Sequence, residues 1–328
     1  MTLVLTASVL ESLTNMSETI AAVERGFGDI ARGTAVQPGP VSLHLPTSEA
    51  RHLLMAGLAE AQQLASVKLL SDIPDNHALG LPTQRSSILL ADRRTGETLA
   101  LLDGRIPTRT RTAAASAVAS KYLARPDSST LGLVGAGALA IAHVEAMLHV
   151  LPIEKVVVWS RSATTLAAFK AKTAHHPVQV ETASNIQHVL EAADILCTLT
   201  PSVEPLVRGD WFRPGIHINA VGARPRPTHR EIDSEGMRRA RVFVDSLATA
   251  KEKSGDLMMA VSEGAMTVED IQGELGPVIT QDIPGRINAD DITLFNSVGI
   301  GMLDLAIGRL LYDTAVLHGL GIDVDMAR

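Results

Sequence analysis

The tract Leu131-Gly132-Leu133-Val134-Gly135-Ala136-Gly137-Ala138-Leu139-Ala140 constrains the fold more than any other in the chain. A short apolar run, two glycines one residue apart and a helix-forming continuation make the G-x-G-x-x-G/A pattern of a dinucleotide-binding turn. Gly135 permits the tight turn, Gly137 lets backbone approach a pyrophosphate, and the small Ala140 lets the helix pack on its strand. Backbone N–H groups at the helix start, from Ala138 and Leu139, then meet the phosphates. A bare glycine motif also fits a plain strand–helix turn, so the surroundings decide. Val156 to Trp159, Ile195 to Thr198 and His217 to Ala220 are further short apolar strands, and helix-like segments lie around 138–150, 163–173 and 185–192. Val242 to Asp245 reads as one more strand. This alternation predicts an α/β fold, a Rossmann-type doubly wound parallel sheet with helices on its faces.

The first third has another rhythm. Leu3 to Leu5 reads as a strand and Met16 to Ile30 as a helix, with Ile20, Val23, Phe27 and Ile30 on one face and Gly33 ending it. Val41 to Leu45, His52 to Met55 and Ala65 to Leu70 are strand-like, and Ser71 to Pro82 reads as a loop. Ser86 to Asp92 and Thr98 to Leu102 make a hairpin around Arg93-Arg94-Thr95-Gly96. These antiparallel pieces predict a separate α+β unit. A helix over Thr112 to Leu123 follows, and Leu294 to Val316 reads as a long apolar closing helix. For 328 residues two domains are expected: 127–301 as the dinucleotide-binding unit, and 1–126 with 302–328 returning to it as the substrate and dimerisation unit.

Composition excludes several classes. A net charge of −7 gives no basic face for nucleic acid. The single cysteine, Cys197, can form neither an internal disulfide nor a multi-cysteine metal cage, and in an apolar strand it reads as a small buried hydrophobe. His175-His176 has no partner acids at ligand spacing, so no metal is expected. No run reaches the ~18 apolar residues of a membrane span. Met1-Thr2-Leu3-Val4-Leu5 lacks a basic start, so no secretion signal and a cytoplasmic location are expected.

The end of the second parallel strand selects the dinucleotide. An NAD site usually carries Asp or Glu there for the ribose 2′-hydroxyl. This chain has Trp159-Ser160-Arg161-Ser162 instead, and a guanidinium flanked by hydroxyls suits a 2′-phosphate. NADP(H) is expected in preference to NAD(H).

Five stretches carry a resemblance: Leu102-Asp103-Gly104 through Arg111 to Ala117; Gly135 to Ala140; Asn219-Ala220-Val221-Gly222-Ala223; Ser254-Gly255-Asp256-Leu257; and Thr293 to Gly299. In this order, over roughly 16–315, the chain resembles the ornithine cyclodeaminase/mu-crystallin family. That family includes cyclodeaminases, alanine dehydrogenases, cyclic ketimine reductases and NADPH-binding mu-crystallins. The resemblance implies a homodimer paired through the non-nucleotide domain, and a substrate pocket between the domains facing the nicotinamide. It implies that Arg111 holds the substrate carboxylate, that Lys68 shares the pocket, and that Thr83 faces it. It further implies that Thr200, Asn219, Val221, Gly222, Ser297, Val298 and Gly299 line the cofactor.

Three departures matter. Pro40 stands where the family usually has a carboxylate-binding arginine, so His44 or Arg109, or else Arg51, is the expected replacement. Arg224 stands where cyclodeaminases have an acid/base aspartate, and arginine does not deprotonate in proteins. Leu139 stands where Gln is common, which touches only the phosphate turn. The nearby acids Glu231 and Asp233 read as a charge pair at a helix N-terminus rather than a replacement base. The expected activity is therefore NAD(P)H-dependent reduction of a cyclic or N-alkyl imino acid. The alternatives are ornithine cyclodeamination and a mu-crystallin-like binding protein without useful turnover.

Overall fold

The computed structural model describes residues 1–326. The chain divides into two compact units, Met1–Arg111 with the chain from Ile300 on, and Thr112–Gly299. The first opens with β1 (Thr2–Leu5), α1 (Ala7–Leu13) and α2 (Met16–Ala31). Then come β2 (Ala35–Val36), β3 (Val41–Leu43), β4 (Arg51–Ala59) and β5 (Leu64–Asp72). A 3-10 turn, Pro74–Leu79, leads to β6 (Gln84–Asp92), β7 (Thr98–Asp103) and α3 (Arg105–Leu123).

The second unit alternates β8 (Thr130–Val134), α4 (Ala138–Leu148), β9 (Lys155–Trp159), α5 (Ala163–Thr173), β10 (Gln179–Thr182), α6 (Ile186–Ala192) and β11 (Ile195–Thr198). It continues with β12 (His217–Ala220), α7 (Ser234–Arg239), β13 (Arg241–Val244), α8 (Leu247–Lys253) and α9 (Gly255–Ser262). β14 (Gly273–Glu274), α10 (Leu275–Ile279) and β15 (Thr293–Asn296) complete it, before α11 (Gly301–His318) and β16 (Ile322–Val324) rejoin the first.

The second unit is the expected doubly wound parallel sheet, in the order β10-β9-β8-β11-β12-β15-β13-β14, with every pairing parallel. The chain starts at β8, steps outward one way to β10, then returns to β11 on β8's other side. The carboxyl ends of β8 and β11 are therefore where the topology switches direction, the usual place for a nucleotide. Buried side chains including Val134, Val157, Leu196, Ile218, Val242 and Leu294 form its core.

The first unit is a mixed sheet, β16-β1-β7-β6-β5-β4-β2 with β3 added on β4, whose pairings are antiparallel except β1 with β7. Alternation sets its faces. Leu53, Met55, Leu64, Ile88, Leu90, Ala100 and Leu102 are buried, as are Phe27 of α2 and Leu303, Ile307 and Leu311 of α11.

Three expected elements differ. The helix placed at Thr112 begins seven residues earlier, at Arg105. Asp103 accepts the Arg105 N–H at 2.9 Å and so starts it, while Pro107, which reads as a breaker, sits in the first turn where its missing N–H costs nothing. The division between units falls inside this helix, and not at 126/127. The helix expected from Leu294 is instead strand β15 followed by α11 from Gly301. All four β15 residues are buried, so they show no alternation to separate them from an apolar helix. The expected loop over Ser71 to Pro82 contains the end of β5 and the 3-10 turn.

Candidate active site

Strand β5 turns Lys68 inward, between its register partners Met55 on β4 and Ile88 on β6. Apolar neighbours cannot compensate an ammonium, and the partner comes from the first turn of α11. Lys68 Nζ donates to Asp304 Oδ1 at 3.0 Å, and Arg111 Nε on α3 donates to the same oxygen at 3.2 Å. All three residues are buried, Lys68 completely. Asp304 Oδ2 is buried with no hydrogen-bond partner. Burial pushes the Lys68 ammonium down to about 8; Asp304 works against that shift and Arg111 adds to it. The trio carries one surplus positive charge while Lys68 is protonated.

The start of α11 is held from two sides. Its Met302 N–H, one of the groups no helix satisfies internally, donates to Gln37 Oε1 at 3.0 Å. A side chain at Gly301 would run into the backbone of Ala56, so only glycine lets α11 lie directly on β4.

The other expected substrate residues do not join this trio. Arg109, two residues before Arg111 and so on another side of α3, pairs with Glu11 at 3.2 Å. His44 is exposed beyond β3, Arg51 opens β4, and Pro40 is buried. Half-buried Thr83 closes its loop through its carbonyl, which accepts the Ile73 N–H at 2.8 Å.

In the second unit the glycine turn has the predicted form. Gly135 has φ +110°, its N–H donates to Trp159 O at 2.9 Å, and a Cβ would lie 2.9 Å from the Leu199 carbonyl oxygen. Gly137 differs: it caps α4, and a Cβ there would meet nothing of the protein within 4 Å. The protein itself has no steric need for glycine at that position, whereas an approaching pyrophosphate does. Ala138 beside it is exposed and Leu139 half-buried. At the end of β9, Ser162 caps α5 by accepting the Thr165 N–H at 3.2 Å, and its own N–H donates to Ser160 Oγ at 3.4 Å. Arg161 between them is exposed.

Buried acids knit the carboxyl ends of the parallel strands. Glu231 accepts from Thr198 Oγ1 (2.7 Å), Thr200 N (2.7 Å), Thr200 Oγ1 (2.6 Å) and Gly222 N (2.8 Å). Burial pushes its carboxyl up to about 7 against the pull of those threonine donors. Val221 lies in the same turn, its N–H on Thr198 O at 3.3 Å. Asp256 accepts the Glu231 and Ile232 N–H groups at 2.8 and 2.9 Å, and burial raises its carboxyl as well. Asp245 accepts from Ser297 Oγ at 3.0 Å and Gly299 N at 2.6 Å, which fixes the loop holding Val298. Asn219 faces inward, donating to Ser120 Oγ at 3.0 Å, and is completely buried. Burial also raises the Cys197 thiol to about 12, so it is no nucleophile near neutrality.

Asp233 is the cap of α7, accepting the Gly236 N–H at 2.8 Å, as the sequence suggested. Glu231 is not a helix-end charge, since both its oxygens are taken up in the interior. Asp304, Asp245 and the buckling role of Glu231 escaped the sequence reading. The available signal for Asp304 was a lone acid among Leu303, Leu305 and Ile307, where only a buried cation could support it. Among the described residues no group of three or more His, Cys, Asp or Glu is placed to hold a metal ion. None of their helices is long and apolar enough to cross a membrane.

The model of the ornithine cyclodeaminase/mu-crystallin family matches residues 1–318. The chain belongs to that family. Among members of the ornithine cyclodeaminase/mu-crystallin family, it is 34% identical to a Delta(1)-pyrroline-2-carboxylate reductase of Bacillus cereus, over 97% of this chain and 98% of that one. The structure of Thermococcus litoralis Delta(1)-pyrroline-2-carboxylate reductase in complex with NADH and L-proline superposes with a TM-score of 0.94 at 36% identity, covering 98% of this chain and 100% of that one. An archaeal alanine dehydrogenase dimer with bound NAD gives a TM-score of 0.92 at 32% identity, with 99% of each chain covered.

Proposed function

We propose that this chain reduces a cyclic or N-alkyl α-imino acid, a ketimine such as pyrroline-2-carboxylate or piperideine-2-carboxylate, to the amino acid, with NADP(H) preferred. The observation that carries the reading is the convergence of Lys68 and Arg111 on one buried oxygen of Asp304. One surplus positive charge in a buried site suits a substrate with a single carboxylate. Arg111 holds Asp304 through Nε, which leaves its terminal amino groups to grip that carboxylate. Lys68, brought to about 8 by burial, keeps its proton at neutral pH yet can release it to the imine nitrogen. The bound reduced cofactor supplies the hydride. The turn at Gly135 and Gly137 cradles its pyrophosphate, while Thr200, Gly222 and Ser297 to Gly299 border it in loops fixed by Glu231 and Asp245.

Ornithine cyclodeamination is the weaker reading. Arg224 replaces the family acid, and the nearest substitute, Glu231, has both oxygens committed. Purified protein mixed with NADPH and a panel of ketimine acids, with pyruvate plus ammonia beside them, should consume NADPH with the ketimines. Cofactor binding without turnover on any of them favours the binding-protein reading.

Cofactor choice rests on Arg161 between Ser160 and Ser162. Removing a charge-assisted contact to a phosphate costs about 1.5–3 kcal/mol. Arg161→Ala should therefore lower kcat/KM for NADPH about 10- to 100-fold and leave NADH nearly unchanged; equal losses with both cofactors contradict a 2′-phosphate contact.

The chain also reads as a homodimer through the first unit. On the outer face of its sheet, Val67, Leu89 and Leu101 stand in register across β5, β6 and β7, and each is about two-fifths exposed (43%, 38% and 40%). A contiguous apolar row of this kind marks a surface that suits a partner, and the archaeal relative is a dimer. Sedimentation should give twice the chain mass, and Leu89→Arg should give the monomer; a wild-type monomer contradicts the pairing.

A further inference from the structure

A single carboxylate oxygen holds both Lys68 and Arg111. Asp304 Oδ1 takes one of the three Lys68 protons and the Nε edge of Arg111, while Oδ2 stays buried with no hydrogen-bond partner. The carboxylate stands in the first turn of α11, where the helix end favours a negative charge. Its position along β4 is set by the close approach at Gly301 and by the Gln37 cap on Met302. Two donors thus converge on a point whose place the fold determines rigidly.

We infer that Asp304 is a positioning residue of the carboxylate-binding site: by occupying the Nε edge of Arg111 and one proton of Lys68, it leaves the terminal guanidinium edge and the remaining ammonium protons for the substrate, and it keeps Lys68 charged. The inference rests on the proposed role of Lys68 and Arg111. The charged groups acting on Lys68 are Asp304 from α11 and Arg111 from α3; its register neighbours on β4 and β6, Met55 and Ile88, carry none. With Asp304 present, Lys68 and Arg111 have one charge left to match, so a monocarboxylate brings the site to neutrality. Without it, two cations face each other in a buried site and Lys68 gives up its proton.

Asp304→Asn keeps the shape and removes the charge. Loss of an opposite charge at this range moves a titration by about 1–3 pH units, so the alkaline fall in kcat/KM for imine reduction should begin at least one pH unit lower than in the wild type. A second readout needs no substrate. Lys68 binds its proton more weakly folded than unfolded, so stability to denaturant rises with pH between its folded and unfolded values. In the wild type that rise starts near pH 8; in Asp304→Asn it should start earlier, and in a Lys68→Met background the substitution at 304 should move nothing in this window. Asp304→Glu keeps the charge but displaces it by one methylene, so it should leave the alkaline limb in place and raise KM several-fold with kcat less affected. A shifted stability onset without turnover of any ketimine removes the imine-reductase reading and keeps this one. Asp304→Asn with the wild-type onset in both profiles, or Asp304→Glu with KM unchanged, overturns the inference.

Discussion

Arg111→Ala should lower kcat/KM for a ketimine acid about 10²–10³-fold. Truncating one member of a buried, hydrogen-bonded charge pair costs about 2–5 kcal/mol, and here the lost group is also the proposed grip on the substrate. Arg111 is 5% exposed, so water cannot take its place easily. The loss should fall on KM more than kcat if the guanidinium holds the carboxylate equally in substrate and transition state. Arg111→Lys retains the charge without the planar fork, and should recover only part of the activity. Asp304 keeps Lys68 as a partner in Arg111→Ala, so the variant should fold. An unchanged KM with reduced kcat would remove Arg111 from carboxylate binding.

The second large effect concerns Lys68. Its ammonium titrates near 8, so kcat/KM for imine reduction should be level below that pH and fall tenfold per unit above it. The oxidative direction, from amino acid to imine, needs the free amine and should rise through the same value. Lys68→Met keeps an unbranched side chain, one atom shorter, but has no proton to give, and should lower kcat about 10²–10⁴-fold. It should also abolish the alkaline limb. Folding is expected to survive, because an apolar side chain takes the place of a buried charge while Asp304 keeps Arg111. A Lys68→Met enzyme with a wild-type alkaline limb would show that another group carries the titration.

The sequence made the parallel sheet legible because each part of it left a local mark. The glycines at 135 and 137, the short apolar strands and the intervening helices all follow from backbone geometry that few other residues satisfy. β15 was hidden because a strand buried on both faces loses its alternation. The early start of α3 depends on Asp103 accepting the Arg105 N–H, ahead of the alanine-rich stretch that marks the helix in sequence. In the candidate site, Lys68 and Arg111 were visible by resemblance, 43 positions apart in sequence. What joins them was not, since Asp304 lies 236 residues from Lys68 and carries no motif of its own. Arg109 and His44 looked like equal candidates from charge and proximity in sequence. Helical phase sends Arg109 to Glu11, and His44 is left exposed. Glu231 was misjudged for a related reason, because a carboxylate next to a helix start suggests a cap until its four donors are in view.

The central claim is that hydride is delivered to a preformed imine and that ammonia is not expelled from a diamino acid. The most direct test incubates the purified protein in two mixtures, NADPH with pyrroline-2-carboxylate, and NAD⁺ with L-ornithine. Each is followed for reduced-cofactor absorbance, proline and ammonia. The account predicts one NADPH consumed per proline formed in the first mixture and no ammonia in the second. Ammonia and proline appearing together from ornithine, with no net change in the cofactor, would contradict it.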